Sequence, residues 1–223
     1  MIPRKCRLCF RLSFAVKDFW DRLIGGRNTC RDVNQQSLDA LDRADALSGV
    51  EPNCGCENHR ASKFSPGVVK NDEMLSLFVF LPIHTNRKGV VKSSLFDHVN
   101  TRGRSVQRDS IASVSEINLF VQDFLKAKDD RVWLGVVSAE CVKVRHIAIE
   151  EKSARAVCVF DTAERGNPAH AELCRSRVID EADKAELRSE LWKAFNGGKV
   201  TKPIEYRNGE VWATLPNAMR LRP

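Results

Sequence analysis

Two close cysteine pairs, Cys6-Arg-Leu-Cys9 and Cys54-Gly-Cys56, frame the N-terminal part of this chain, and His59 follows the second pair. A tetrahedral metal such as zinc needs two ligand pairs on tight turns that face one another. Cys6, Cys9, Cys54, Cys56 and His59 are therefore the candidate ligands of one structural Zn2+ site. The stretch between the pairs also holds Cys30, which could replace one of them. The competing reading is a set of reduced thiols in a cytoplasmic protein, with a disulfide framework disfavoured. Cys141, Cys158 and Cys174 stand singly, where cysteine behaves as a small hydrophobe.

A second chemistry is carried by arginine. Arg102-Gly-Arg104-Ser105-Val-Gln-Arg108 gathers three guanidinium groups around a serine beside a flexible glycine. Such a loop can grip a phosphate through guanidinium forks and backbone N–H groups. Further basic residues cluster at Arg4 to Arg11, at Arg87 to Lys92, and at Lys199 to Arg222. Arg102, Arg104, Arg108, Lys88 and Lys92 are the candidate nucleic-acid contacts. A third candidate lies in Asp161 to His170, where Asn167-Pro168 reads as a helix start with His170 in its first turn. Ser105, Arg108 and His170 would be the catalytic set if the chain were an enzyme. The alternative is a solvated basic loop and a surface histidine.

The elements that must position these groups fall into three regions. In the first, residues 1–62, Leu12, Ala15, Val16, Phe19, Trp20, Leu23 and Ile24 recur at helical spacing before Gly25-Gly26, and a polar helix follows over 35–47. A Gly-, Pro-, Asn- and Ser-rich loop over 48–66 marks the boundary with an α+β domain at 63–223. There the apolar run Ser76 to His84 reads as a strand that Pro82 ends or confines to an edge. Ser113-Val-Ser-Glu116 is a capping box that opens a helix carrying Ile117, Phe120, Val121, Phe124 and Leu125. Three runs, Val132 to Ala139, Val142 to Ile149 and Ala154 to Phe160, read as an antiparallel meander.

In the third region the pattern predicts a helix from Pro168 to Ser176. A second helix, Asp180 to Asn196, buries Leu187, Leu191 and Phe195 and stops at Gly197-Gly198. Asn208-Gly209 joins a final hairpin, and the expected class is α+β, with helices packed on an antiparallel sheet and a helical, zinc-stabilised N-terminal element.

With 223 residues, 43% apolar and 29% charged, the chain can bury a core and is not globally disordered. No apolar run approaches a membrane span, which fits a cytoplasmic protein without a membrane partner. The net charge of +7 favours an anionic partner. Signatures of phosphate-loop, dinucleotide, zinc-protease and serine-hydrolase chemistry are lacking. Gly103 to Arg108, followed by Asn167-Pro-Ala-His-Ala171, resembles a pattern in small bacterial proteins, across roughly residues 84–195, which implies neither fold nor activity.

Three functions follow. The first is a zinc-stabilised accessory protein that binds RNA or DNA and does not itself catalyse. The second is an adaptor in a larger bacterial complex, docking through the helix around Phe19 and Trp20. The third is a nuclease or transferase using Arg108 and His170.

Overall fold

A computed structural model describes residues 46, 53–58, 64–101, 103–127, 130–149, 155–176 and 178–201. The predicted helices over 12–24 and 35–47, the hairpin around Asn208-Gly209, and Cys6, Cys9, Cys30, His59 and Arg102 lie outside the described residues, Ala46 apart.

Among the described residues, five strands form one antiparallel sheet: β1 (Met74–Leu81), β2 (Arg104–Arg108), β3 (Val132–Glu140), β4 (Val157–Asp161) and β5 (His170–Arg175). Their spatial order is β3-β1-β2-β5-β4. β1 is buried on both faces, with Leu75, Leu77 and Val79 on one and Ser76, Phe78 and Phe80 on the other. The chain leaves β1 at the cis Leu81–Pro82 bond. Proline thus ends this strand as expected, but β1 lies inside the sheet, with β3 and β2 on either side.

The first face carries the main core. Leu75, Leu77 and Val79 pack with Val106, Val137, Val157, Val159, Ala171 and Leu173. Over them lie the 3-10 helix η2 (Ser93–Asn100), the short helix α2 (Cys141–Arg145) and α3 (Lys184–Ala194). As the sequence predicts, Leu187, Leu191 and Phe195 are fully buried, and the chain turns out of α3 through Gly197 and Gly198 at positive φ. Burying each such leucine is worth about 1.5–3 kcal/mol.

The second face is covered in part by α1 (Val114–Lys126), whose Ile117 and Val121 pack on Phe78, Phe80 and Trp133. Its capping box forms as the sequence predicts: Ser113 accepts from the Glu116 N–H while Glu116 accepts from the Ser113 N–H. A register shift opposite Val79 and Phe80 bulges β3, so Leu134 faces the main core and Trp133 the other side.

Two predicted elements are corrected. Residues 142–149 are no strand: Cys141 and Val142 donate to the Glu73 and Asn71 carbonyls, and the chain winds into α2. β3 and β4 then stand at opposite edges of the sheet, so no meander forms. Residues 170–175 are strand β5, not a helix. Asn167 exchanges backbone hydrogen bonds with Glu164 and accepts from the His170 N–H, turning the chain from β4 back into β5. In both segments tertiary pairing overrides the local pattern.

Residues 53–58, read as part of the N-terminal element, pack onto the sheet at β4. The 3-10 helix η1 (Gly55–Asn58) inserts Cys54 and Cys56 among Cys158, Phe160 and Cys174. Among the described residues no helix is long and apolar enough to cross a membrane.

Candidate functional site

The sheet is split. β1 pairs with β2 only at Leu75–Arg108 and Ser76–Gln107, although β1 continues to Leu81 and β2 begins at Arg104. His84 fills the gap. Its N–H donates to the Phe80 carbonyl (2.9 Å), and its Nδ1 accepts the Phe80 N–H (3.2 Å). The imidazole thus satisfies a strand position that β2 leaves open.

Basic groups gather at this split. Arg104, on β2, is half-buried, and its Nε is enclosed without a hydrogen-bond partner. Burial pulls the Arg104 pKa down to about 10. Lys92 donates its backbone N–H to the His84 carbonyl, closing a hairpin whose tip carries the exposed Arg87 and Lys88. Asn86 Oδ1 holds that tip by accepting the Lys88 and Val90 N–H groups. Burial pushes the His84 pKa down to about 3, with the charges of Arg104, Lys92 and His98 adding to it against the Phe78 carbonyl. A neutral imidazole among cations describes a place where an anion would be welcome.

Arg108 has a different task. It is 2% exposed, and its guanidinium grips Glu73 through Nε–Oε2 and Nη2–Oε1, both 2.7 Å. Nη1 donates to the Gly67 carbonyl and Nη2 to that of Val68. Asp161, hydrogen-bonded by Ser65, stands 3.8 Å from Nη1. Burial alone would raise the Glu73 pKa, but the Arg108 hydrogen bonds and the Lys70 N–H bring it below its usual value. With its donors committed, Arg108 braces the first face and is not a phosphate contact. Residues 104–108 of the predicted basic loop are the central strand β2, whose alternation puts Arg104 and Arg108 on one face, the first half-buried and the second buried.

The structure does not bring Arg108 and His170 together. Gln107 stands opposite His170 in the register, so both share the second face, while Arg108 points to the first. His170 Nδ1 bonds to Thr162 Oγ1 at 2.8 Å. Ser105 is exposed on the second face, opposite Glu172. An open groove beside Arg108 is lined by Asn58, Lys70, Asp72, Glu73, Asp109 and Ser110, a mixture of both charges.

The cysteines converge, in a grouping the spacing does not foretell. Cys54 is disulfide-bonded to Cys158, 104 residues along the chain, which corrects the reading of Cys158 as an isolated apolar thiol. Cys56 is disulfide-bonded as well. The ligand atoms of Cys54, Glu57 and Cys158 lie within 4.8 Å of one another, all three residues buried, so this group could hold a metal ion once the disulfide is open. Glu57 accepts from Arg145 Nε at 3.0 Å, and from Arg155 Nη2 and the Val159 N–H.

No family model, curated protein or solved structure matches this chain. The site therefore stands on its own geometry.

Glu57 and Glu73 escape a reading by motif, because each acquires its role from a strand distant in sequence, and His84 because its partner is the backbone of Phe80. The signal available for Glu57 was a carboxylate one residue after a CxC, a place where an acid is seldom buried without a partner.

Proposed function

We propose that this protein binds a polyanion, nucleic acid above all, through the basic corner at the split between β1 and β2. Arg104 and Lys92 are the central contacts, with Arg87 and Lys88 on the adjoining hairpin tip. The observation that carries this reading is the grouping of cations at the split: the half-buried Arg104 and the exposed Lys92 add to the burial that lowers the His84 pKa, and the exposed Arg87 and Lys88 stand on the adjoining hairpin tip. Arg108, Arg145 and Arg155 rest on carboxylates, whereas Arg104, like Arg131, Arg175 and Arg188, keeps an enclosed Nε without a hydrogen-bond partner. A phosphate at the split would offset the crowded positive charge.

The contacts available are lysine and arginine groups without stacking aromatics, so the binding is weakly sequence-specific and driven by counterion release. RNA and DNA are both suited to such a surface. An accessory role, without catalysis of its own, fits a site built to hold charge.

The test is nucleic-acid affinity across a salt series for the Arg104→Gln, Lys88→Gln and Lys92→Gln variants. Each loss should weaken binding uniformly across sequences and lower the salt slope by about one per phosphate contact removed. Lys126→Gln with Lys143→Gln removes charge from exposed helical pairs elsewhere and should leave binding nearly unchanged. Equal losses in that control, or no binding at low salt, would overturn the reading. Binding to a protein instead would favour an adaptor, for which Ile83 and Val90 offer exposed apolar surface on the same hairpin.

A further inference from the structure

We propose that, once its Cys54–Cys158 disulfide is reduced, this protein binds one zinc-class divalent ion at Cys54, Glu57, Cys158 and Cys174. These four ligands close a tetrahedral site without the N-terminal pair Cys6 and Cys9.

Three of the four ligand atoms are already gathered. Those of Cys54, Glu57 and Cys158 lie within 4.8 Å of one another. Zinc bond lengths of about 2.3 Å to sulfur and 2.0–2.2 Å to carboxylate oxygen place neighbouring ligands roughly 3.4–3.8 Å apart. Opening the S–S bond lets the two sulfurs separate to that spacing. Cys174 supplies the fourth position. It stands directly opposite Cys158 in the β4–β5 register, belongs to the same buried cluster, and is not in a disulfide. Directly opposed strand residues have Cβ atoms about 4.5–5.5 Å apart, so a rotation about χ1 can bring both sulfurs to one ion. The ligands thus come as two pairs on separate rigid supports, η1 on one side and adjacent strands on the other.

Electrostatics favour the same assembly. Three thiolates and one carboxylate carry four negative charges, which a divalent ion and the guanidinium groups of Arg145 and Arg155 cancel. Both arginines already hold Glu57. Hydrogen bonds of this kind to a coordinating carboxylate fix its orientation and tune the ion. Thiolate ligands select zinc over magnesium or calcium.

The chemistry closes. A phosphine or dithiol reductant delivers two electrons to the Cys54–Cys158 bond, and the sulfurs take up two protons. Three thiol protons, from Cys54, Cys158 and Cys174, leave when the ion binds. A small-molecule disulfide that accepts two electrons from Cys54 and Cys158 restores the crosslink as the ion leaves and Cys174 regains its proton, so crosslink and ion are alternative fastenings for η1.

The experiment uses the full chain reduced with a phosphine, desalted without oxygen and titrated with cobalt(II) chloride, whose spectrum reports tetrahedral thiolate ligation. One equivalent should bind with sulfur-to-metal charge-transfer absorption, and zinc should displace it. Oxidised protein should take up none. Cys6→Ser/Cys9→Ser should keep the full equivalent, Cys54→Ser should lose it, and Cys174→Ser should bind at least tenfold more weakly. Cys174→Ser retains the disulfide, so its fold is secured before reduction. Glu57→Gln should keep thiolate absorption with an altered d–d pattern. The proposal fails if reduced protein binds no cobalt, if oxidised protein binds as well as reduced, or if the equivalent vanishes with Cys6 and Cys9.

Discussion

His84 and Phe80 pair as two residues of adjacent strands would, although His84 follows the strand that contains Phe80. One bond runs from the His84 N–H to the Phe80 carbonyl, and the imidazole Nδ1 accepts in return. A protonated ring would have no lone pair for the second bond.

Acid stability should follow from this pair. The folded-state pKa is lowered to about 3 from an ordinary 6.5. Between those values the unfolded chain binds a proton that the folded chain refuses, so stability rises with pH across that window. Conversely, it is lost as pH falls from 6.5 towards 3. His84→Gln can still accept the Phe80 N–H and should flatten that acid limb. Urea midpoints measured from pH 4 to pH 7 check this, and an unchanged slope in the variant would disprove it.

Arg108 and Glu73 should behave as a single unit. Arg108→Ala leaves a carboxylate buried without its partner, a change that costs about 3–5 kcal/mol. Replacing both by apolar residues of similar volume should recover much of that loss. Because the Glu73 pKa is lowered in the fold, the pair's contribution is present above the unfolded value of 4.5 and is lost as pH falls through the folded one. Chemical denaturation of the two single variants and the double variant gives the coupling directly. Additive losses would argue against a shared role.

Gly135 should tolerate no side chain. Its φ is +136°, and a Cβ there would sit 2.1 Å from the Thr201 carbonyl oxygen. That carbonyl accepts the Val136 N–H, which ties the segment after α3 to the outer edge of β3. Gly135→Ala should therefore cost more than 1 kcal/mol, above the ordinary penalty of a strained backbone site. Faster hydrogen exchange at the Val136 amide, with β1 amides unaffected, is the expected signature.

Cys141 should be chemically silent in the folded protein. It is fully buried, and burial pushes its thiol up to about 11. Since the thiolate is the reactive species, alkylation at neutral pH should wait for unfolding. Peptide mapping after iodoacetamide treatment, with and without denaturant, decides this; rapid labelling of native protein would contradict it.

Much of the fold was legible in the residues. The capping box at Ser113 and Glu116, the leucines of α3 and the glycines behind it are local features, and local features survive folding. The α+β class and the antiparallel sheet follow from the same level of reading. Val142 to Ile149 misled because β-branched residues suit a strand, while the Glu73 and Asn71 carbonyls bend the chain into a helical turn. Asn167-Pro168 carried a helix-start signal that also serves a turn between strands. The site was less legible. Arg104 and Arg108 lie four residues apart on one face of β2, yet one stands near other cations and the other grips a carboxylate. Only long-range strand pairing separates those fates. Cys158 and Cys54 met for the same reason, since spacing along a chain says nothing about partners a hundred residues away.

The Glu57 carboxylate has one more consequence, at the border of the sheet. β4 is an outer strand built of Val157, Cys158, Val159 and Phe160, a sequence well suited to recruit a strand from another molecule. Glu57 occupies the outward Val159 N–H, and Arg155 occupies the outward Val157 carbonyl. A single acidic side chain and its arginine thus act as a stopper against intermolecular pairing. Whatever loosens η1 from β4 would convert a closed border into a template, and solubility would then depend on one polar contact at the rim of the sheet.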